Sequence, residues 1–231
     1  MLIKKICILF VAFYLSAIPN LLAQNANDTP FRDKMSLVFS PDMIGATIAY
    51  LEYHVGPAKR KTNFQVNGEP EVLREYQIGP CKVFVSGNED IKHLELRNIN
   101  EDCTFNILPF LGEQGEKDAH ETTFGFLAEN ANSYRFTTEC MKWCGSASDV
   151  AIEFQFTIFR PGVGESKMVA RRGLYPSNDQ IDKLSSQLTD FLVEKEGEEW
   201  VTLSRYANDE KYAQIALKYF TNIRISEFKY Y

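Results

Sequence analysis

Cys140-Met141-Lys142-Trp143-Cys144 is the most chemically pointed stretch of the sequence. Two thiols at this spacing suit three chemistries: a disulfide closing a tight loop, a dithiol redox pair, or half of a metal site. Redox motifs of the thioredoxin kind place two residues between the cysteines, and here three intervene. A tetrahedral zinc site needs two more ligands, and no His or Cys stands nearby in the sequence. A structural disulfide is the favoured reading, and no metal ligand is assigned. Met141, Lys142 and Trp143 then form a candidate interaction loop, because an aromatic on a rigid cross-linked turn is a good anchor for a partner. The competing role for Trp143 is to cover the end of a sheet.

The chain has five cysteines. Cys7 lies in the N-terminal apolar stretch, which leaves Cys81, Cys103, Cys140 and Cys144. An even count in an exported chain reads as two disulfides. Four cysteines allow three connectivities. Proximity favours Cys81–Cys103 and Cys140–Cys144, although proximity is not geometry.

The three histidines are His54, His93 and His120. His120-Glu121-Thr122-Thr123-Phe124 narrowly misses the zinc-protease pattern, with Phe124 where the second ligand would stand. His54 falls at a helix end and His93 between apolar strand positions, which are structural or exposed places. Phosphate-cradling and nucleophile-elbow motifs are absent from the sequence. No catalytic residue is assigned and no cofactor is implied.

The elements that would position these groups alternate between helix and strand. Ser40-Pro41 opens a helix whose face is Ile44, Thr47, Ile48, Leu51 and Val55, closed by Gly56-Pro57. Asn67-Gly68 marks a hairpin between Phe64-Val66 and Val72-Ile78. Strands follow at Cys81–Val85 and His93–Arg97, and Cys103–Leu108 reads as another, stopped by Pro109. Phe124–Ala128 is a short apolar segment, and Tyr134–Thr138 reads as a strand. Val150, Ile152, Phe154, Phe156 and Ile158 alternate with more polar residues, the signature of a strand with one buried face. Lys167–Arg172 returns after the Pro161-Gly162 turn. Ser177 and Gln180 form a capping box before the stripe Ile181, Leu184, Leu188, Phe191 and Leu192. Asn208 caps a last helix carrying Tyr212, Ile215, Ala216 and Tyr219, and Ile223 and Ile225 begin a terminal strand. The expected fold is α+β: antiparallel sheet with helices packed on one face, stabilised by disulfides.

Residues 1–23 read as a secretory signal, with Lys4 and Lys5 ahead of a 13-residue apolar run, Ile6–Ile18, too short to span a bilayer. Gln24 follows the small Ala23, so lipid attachment there is unsupported. Residues 24–34 are polar and read as a flexible N-terminus. Residues 35–231 form one domain or two lobes, 35–111 and 120–231. The formal charge of −6 becomes −8 once Lys4 and Lys5 leave. An acidic chain of this kind disfavours nucleic acid and anionic lipid.

Gly56-Pro57-Ala58, Arg74-Glu75-Tyr76 before Cys81, and Cys103-Thr104-Phe105, followed by Cys140, Cys144-Gly145 and Glu198-Glu199-Trp200, resemble a group of exported proteobacterial proteins of unknown function. That resemblance implies a periplasmic or secreted protein and carries no activity. Helix, Gly-Pro and antiparallel meander over Ser40 to Arg97 are also similar to the helix–sheet modules of the β-lactamase-inhibitor-protein type and of small outer-membrane-assembly lipoproteins. Those modules bind proteins. The expectation is an exported, non-enzymatic binding or interaction module whose partner is an envelope or host protein. The alternative is a hydrolase or redox enzyme with dispersed catalytic residues, which requires His93 or His120 beside carboxylates, a hydroxyl or a thiol. Metal binding through Cys140 and Cys144 is a third option.

Overall fold

Asn67 and Gly68 both adopt positive φ, 52° and 86°, the conformation a tight two-residue hairpin demands. They join β1 (Arg60–Val66) to β2 (Glu69–Ile78). Pro70 is tolerated because it lies beyond Val72, where pairing with the next strand ends. The computed structural model describes residues 30–138, 151–160, 164–173, 179–197 and 209–231. The signal segment, the loop Cys140–Cys144, the Pro161-Gly162 turn, Ser177 and Asn208 lie outside them.

The remaining strands are β3 (Cys81–Gly87), β4 (His93–Arg97), β5 (Ser133–Phe136), β6 (Ala151–Arg160), β7 (Gly164–Gly173) and β8 (Glu227–Tyr230). They form one open sheet of eight strands in the order β1-β2-β3-β4-β8-β7-β6-β5. Every neighbouring pair is antiparallel. The C-terminal strand therefore lies in the middle, with Leu96 and Ala170 pairing the two sides of Phe228.

Alternation sorts the residues by face. Tyr76, Val83, Leu96, Phe228, Ala170 and Phe154 point to one side and are buried. Helices cover that side: α1 (Phe31–Val38), α2 (Ile48–Val55), α3 (Leu108–Leu111), α4 (Phe124–Asn130), α5 (Asp179–Glu196) and α6 (Glu210–Phe220). Their apolar residues join those of the sheet in one core. Aromatic contacts seal it, with Phe110 4.7 Å from Tyr230 and Phe124 5.0 Å from Phe154. The fold is α+β, and Cys81 and Cys103 form a disulfide with Cα atoms 5.2 Å apart. No helix among the described residues is long and apolar enough to cross a membrane.

Several local expectations change. The helix expected from Ser40 is split into a 3-10 turn, Pro41–Met43, and α2. Gly45 donates to the Ile91 carbonyl (2.8 Å), which pulls the chain out of helix, and the Thr47 hydroxyl starts it again by capping Tyr50. Helix α1 begins at Phe31, inside the segment read as a flexible N-terminus. Cys103–Leu108 is not a strand; its ties are single bridges, Asn100 to Cys103 and Asn106 to Asp118. Pro109 does not stop an element but sits in the first turn of α3, where its missing N–H costs nothing. Phe124–Ala128 is helical because Thr123 caps the Phe126 N–H. Asp209 caps α6 through Lys211. Phe191, counted in the apolar stripe of α5, is 38% exposed, whereas Ile181, Leu188 and Leu192 are buried.

Candidate functional site

Two places bring polar chemistry together. The first is a cleft of about 430 Å³ where β7 ends, α5 begins and the chain enters β8. Its walls are built by backbone ties. Ile99 donates to Ser226 (2.8 Å) and Ile225 to Thr122 (3.0 Å), while Arg224 bridges to Thr123. Asn100 accepts from Asp102 and Cys103 through its side chain, folding a tight turn with Glu101 at its tip. The Cys81–Cys103 disulfide ties that turn to the start of β3, so the cross-link anchors one wall of the cleft.

Ile181, Ile223 and Ile225 give the cleft part of its lining, and the larger part is polar, with His120, Arg172 and Arg224 as its basic groups. The His120 side chain is only 15% exposed. Its backbone N–H is held by the Thr104 hydroxyl (3.2 Å). Its Nδ1 is buried without a hydrogen-bond partner. Asp118 and Glu121 stand 3.9 Å from the two ring nitrogens, too far to satisfy them directly.

The second place is the polar side of the sheet. Ser86 and His93 are directly opposite on β3 and β4, with the Ser86 hydroxyl oxygen 2.6 Å from His93 Nδ1. The Glu71 carboxylate, 4% exposed, accepts from the Lys92 ammonium at 2.9 Å and keeps its second oxygen unpartnered. Burial holds the His93 imidazole below its ordinary pKa, against the opposing pull of Glu71 and with the help of Lys229 and Lys92. The Lys92 hydrogen bond lowers the Glu71 pKa more than burial raises it. The Tyr231 ring packs edge-on against His93, 4.7 Å between centroids.

Beside it runs a belt of ion pairs. Glu95 meets Arg97 and Lys229, and Arg171 lies between Glu153 and Glu227. The Arg171 Nε is 2.9 Å from Glu153 Oε2 but is not aimed at it, so that contact is an ion pair without a hydrogen bond. The belt neutralises itself and leaves no charge to offer a ligand.

The sequence-derived candidates divide between described and undescribed residues. Cys81 and Cys103 are paired. Met141, Lys142, Trp143, Cys140 and Cys144 lie outside the described residues. His54 packs against Tyr50 and Tyr53 on the outer side of α2, away from both places. His93 has a hydroxyl and a carboxylate beside it, and His120 has two carboxylates at a distance. Arg172 and Arg224 escaped sequence reasoning. The Ile-Arg-Ile alternation at 223–225 was the only signal available for Arg224. No family model, curated protein or solved structure matches this chain.

Proposed function

We propose that this is an exported binding protein and that the cleft holding His120, Arg172 and Arg224 is where its ligand lands. The ligand is a small molecule, or a short segment presented by an envelope or host protein. The cleft carries the reading. Its volume falls within the range of small-ligand sites, and His120, Arg172 and Arg224 converge there in a mostly polar lining that includes four isoleucines. The Cys81–Cys103 disulfide agrees with life in an oxidising compartment.

The test uses isoleucine-methyl NMR of the mature chain, because Ile99, Ile181, Ile223 and Ile225 all line the cleft. A panel of acidic, neutral and basic solutes and short peptides is titrated in. Saturable shifts confined to those methyls support the reading, and their loss on Asn222→Trp, which fills the mouth, strengthens it. A panel that moves none of the four overturns it.

A second reading rests on the Ser86–His93 pair. A hydroxyl 2.6 Å from a neutral imidazole has the geometry of a base-activated nucleophile. It ranks second because Glu71 approaches Lys92 and Ser86 rather than the far nitrogen of His93, and Ser86 is buried. Labelling of Ser86 by a fluorophosphonate, abolished in His93→Ala, would establish it. An unlabelled Ser86 in folded protein ends it.

A further inference from the structure

We infer that the cleft recognises an oxyanion, carboxylate or phosphate, held between Arg172 and Arg224 with His120 beside them. This rests on the binding reading above and names its ligand chemistry. Three observations carry it.

The first is the fate of the arginines. Arg74 and Arg160 donate to oxygens, and Arg97 and Arg171 meet carboxylates. Arg172 and Arg224 have no ion-pair or hydrogen-bond partner for their guanidinium groups among the described residues, and both line the same cleft. In a chain of formal charge −6, two unneutralised guanidiniums beside one cavity are a local reversal of sign. Arg60 also has no guanidinium partner among the described residues, but it sits on the exposed edge strand β1 and does not line this cleft.

The second is the orphaned nitrogen. His120 Nδ1 is buried in a polar wall with nothing to bond. Its surroundings are polar, with the Asp118 carboxylate 3.9 Å away, and a water or a ligand oxygen is what would complete it.

The third is shape. Guanidinium forks match the paired oxygens of carboxylate and phosphate, which a neutral sugar or amide does not offer. The Asp118 and Glu121 carboxylates stand 3.9 Å from the His120 ring nitrogens, and the carboxylate that lines the cleft itself is Glu101. It is exposed at the tip of its turn, where solvent and salt screen it, so it weakens an anion without excluding it.

The experiment follows Ile223 and Ile225 methyl signals while inorganic phosphate, succinate, an acidic tetrapeptide and, as a neutral control, glucose are titrated into the mature protein. Phosphate, succinate or the acidic peptide should shift both signals, and glucose should not. Which anion binds tightest separates a free phosphate, a free carboxylate and a peptide source. Arg224→Gln, at an exposed position, should weaken binding by about tenfold, and adding Arg172→Gln should abolish it. Glu101→Gln should tighten it, and rising NaCl should weaken it. Glucose binding with no response to anions overturns the oxyanion inference and leaves the binding reading standing. Anion affinity unchanged by both arginine substitutions, or insensitive to salt, also overturns it. No response to any probe overturns the oxyanion inference, and the wider panel above then decides the binding reading separately.

Discussion

Ser86 and His93 face each other across β3 and β4 with the hydroxyl oxygen 2.6 Å from Nδ1. Burial disfavours the imidazolium, so the folded protein takes up this proton at lower pH than the unfolded chain, whose histidine titrates near 6.5. The unfolded state therefore binds more protons in that window, and stability rises with pH through it. The contribution is fully present above about pH 6.5 and lost as pH falls through the lowered folded value. Urea midpoints measured from pH 5 to pH 8 should fall on the acid side, and His93→Gln should flatten that slope. An unchanged slope in the variant would place the acid sensitivity elsewhere.

Glu71 titrates in the same corner with the same sign. Its hydrogen bond from Lys92 holds the carboxyl below its usual value of 4.5. Its stabilising effect is complete above that value and disappears as pH falls through the lowered one. Glu71→Gln should cost about 1 kcal/mol at neutral pH, a modest figure because Lys92 is half exposed. Chemical denaturation at pH 7 and pH 3 should show a difference that shrinks in acid.

Arg74 sits on the core side of β2 with its guanidinium on main-chain oxygens, Gly87 at 2.6 Å and Asn88 at 3.0 Å. No carboxylate among the described residues shares that group, so its role is to satisfy a turn. Arg74→Met keeps the apolar stem and strands both carbonyls, and should cost about 2–3 kcal/mol in urea unfolding. Arg74→Lys, which lacks the fork, should recover only part of it.

The Cys81–Cys103 bridge closes a separation of 22 residues. Replacing both cysteines by alanine should lower stability by about 3 kcal/mol on the chain-entropy account. Because the bridge anchors the Asn100–Cys103 turn, amide exchange at Asp102 and Cys103 should speed up more than exchange in β6. Uniform acceleration would mean the bridge acts only on the unfolded chain.

Gly125 in α4 passes so close to the segment after α6 that an added Cβ would lie 2.7 Å from the Thr221 carbonyl oxygen and also against its hydroxyl. The Gly125 N–H donates to that same carbonyl at 2.9 Å. Gly125→Ala should destabilise by about 1–3 kcal/mol despite alanine's better helix propensity. The obstacle is backbone, so Thr221→Ala should not rescue it. Full rescue would assign the clash to the side chain alone.

Local features were legible wherever one short-range cause dominates. Asn67-Gly68 needs positive φ and makes a hairpin, and Ile152 to Ile158 alternates because β6 has one buried face. Legibility failed where a distant partner outvotes the local pattern. Gly45 breaks a helix for the sake of Ile91, and Phe191 lies on an apolar stripe yet faces solvent. The sites follow the same division. The histidines stand out by rarity, whereas nothing local distinguishes Arg172 and Arg224 from other surface arginines.

By itself, the sequence determined the class of the fold, the Asn67-Gly68 hairpin and the buried faces of the long strands, because each depends on neighbours in the chain or on a simple period. Only the tertiary structure decided that Glu227–Tyr230 enters the sheet between β4 and β7. Any strand with the same alternation fits either edge, and the choice is made by packing of Phe228 and Tyr230 against Phe105 and Phe110 from remote segments. That choice brings Ile223 to Ile225 alongside Thr122 and Thr123, and so creates the cleft that five separate stretches of sequence share.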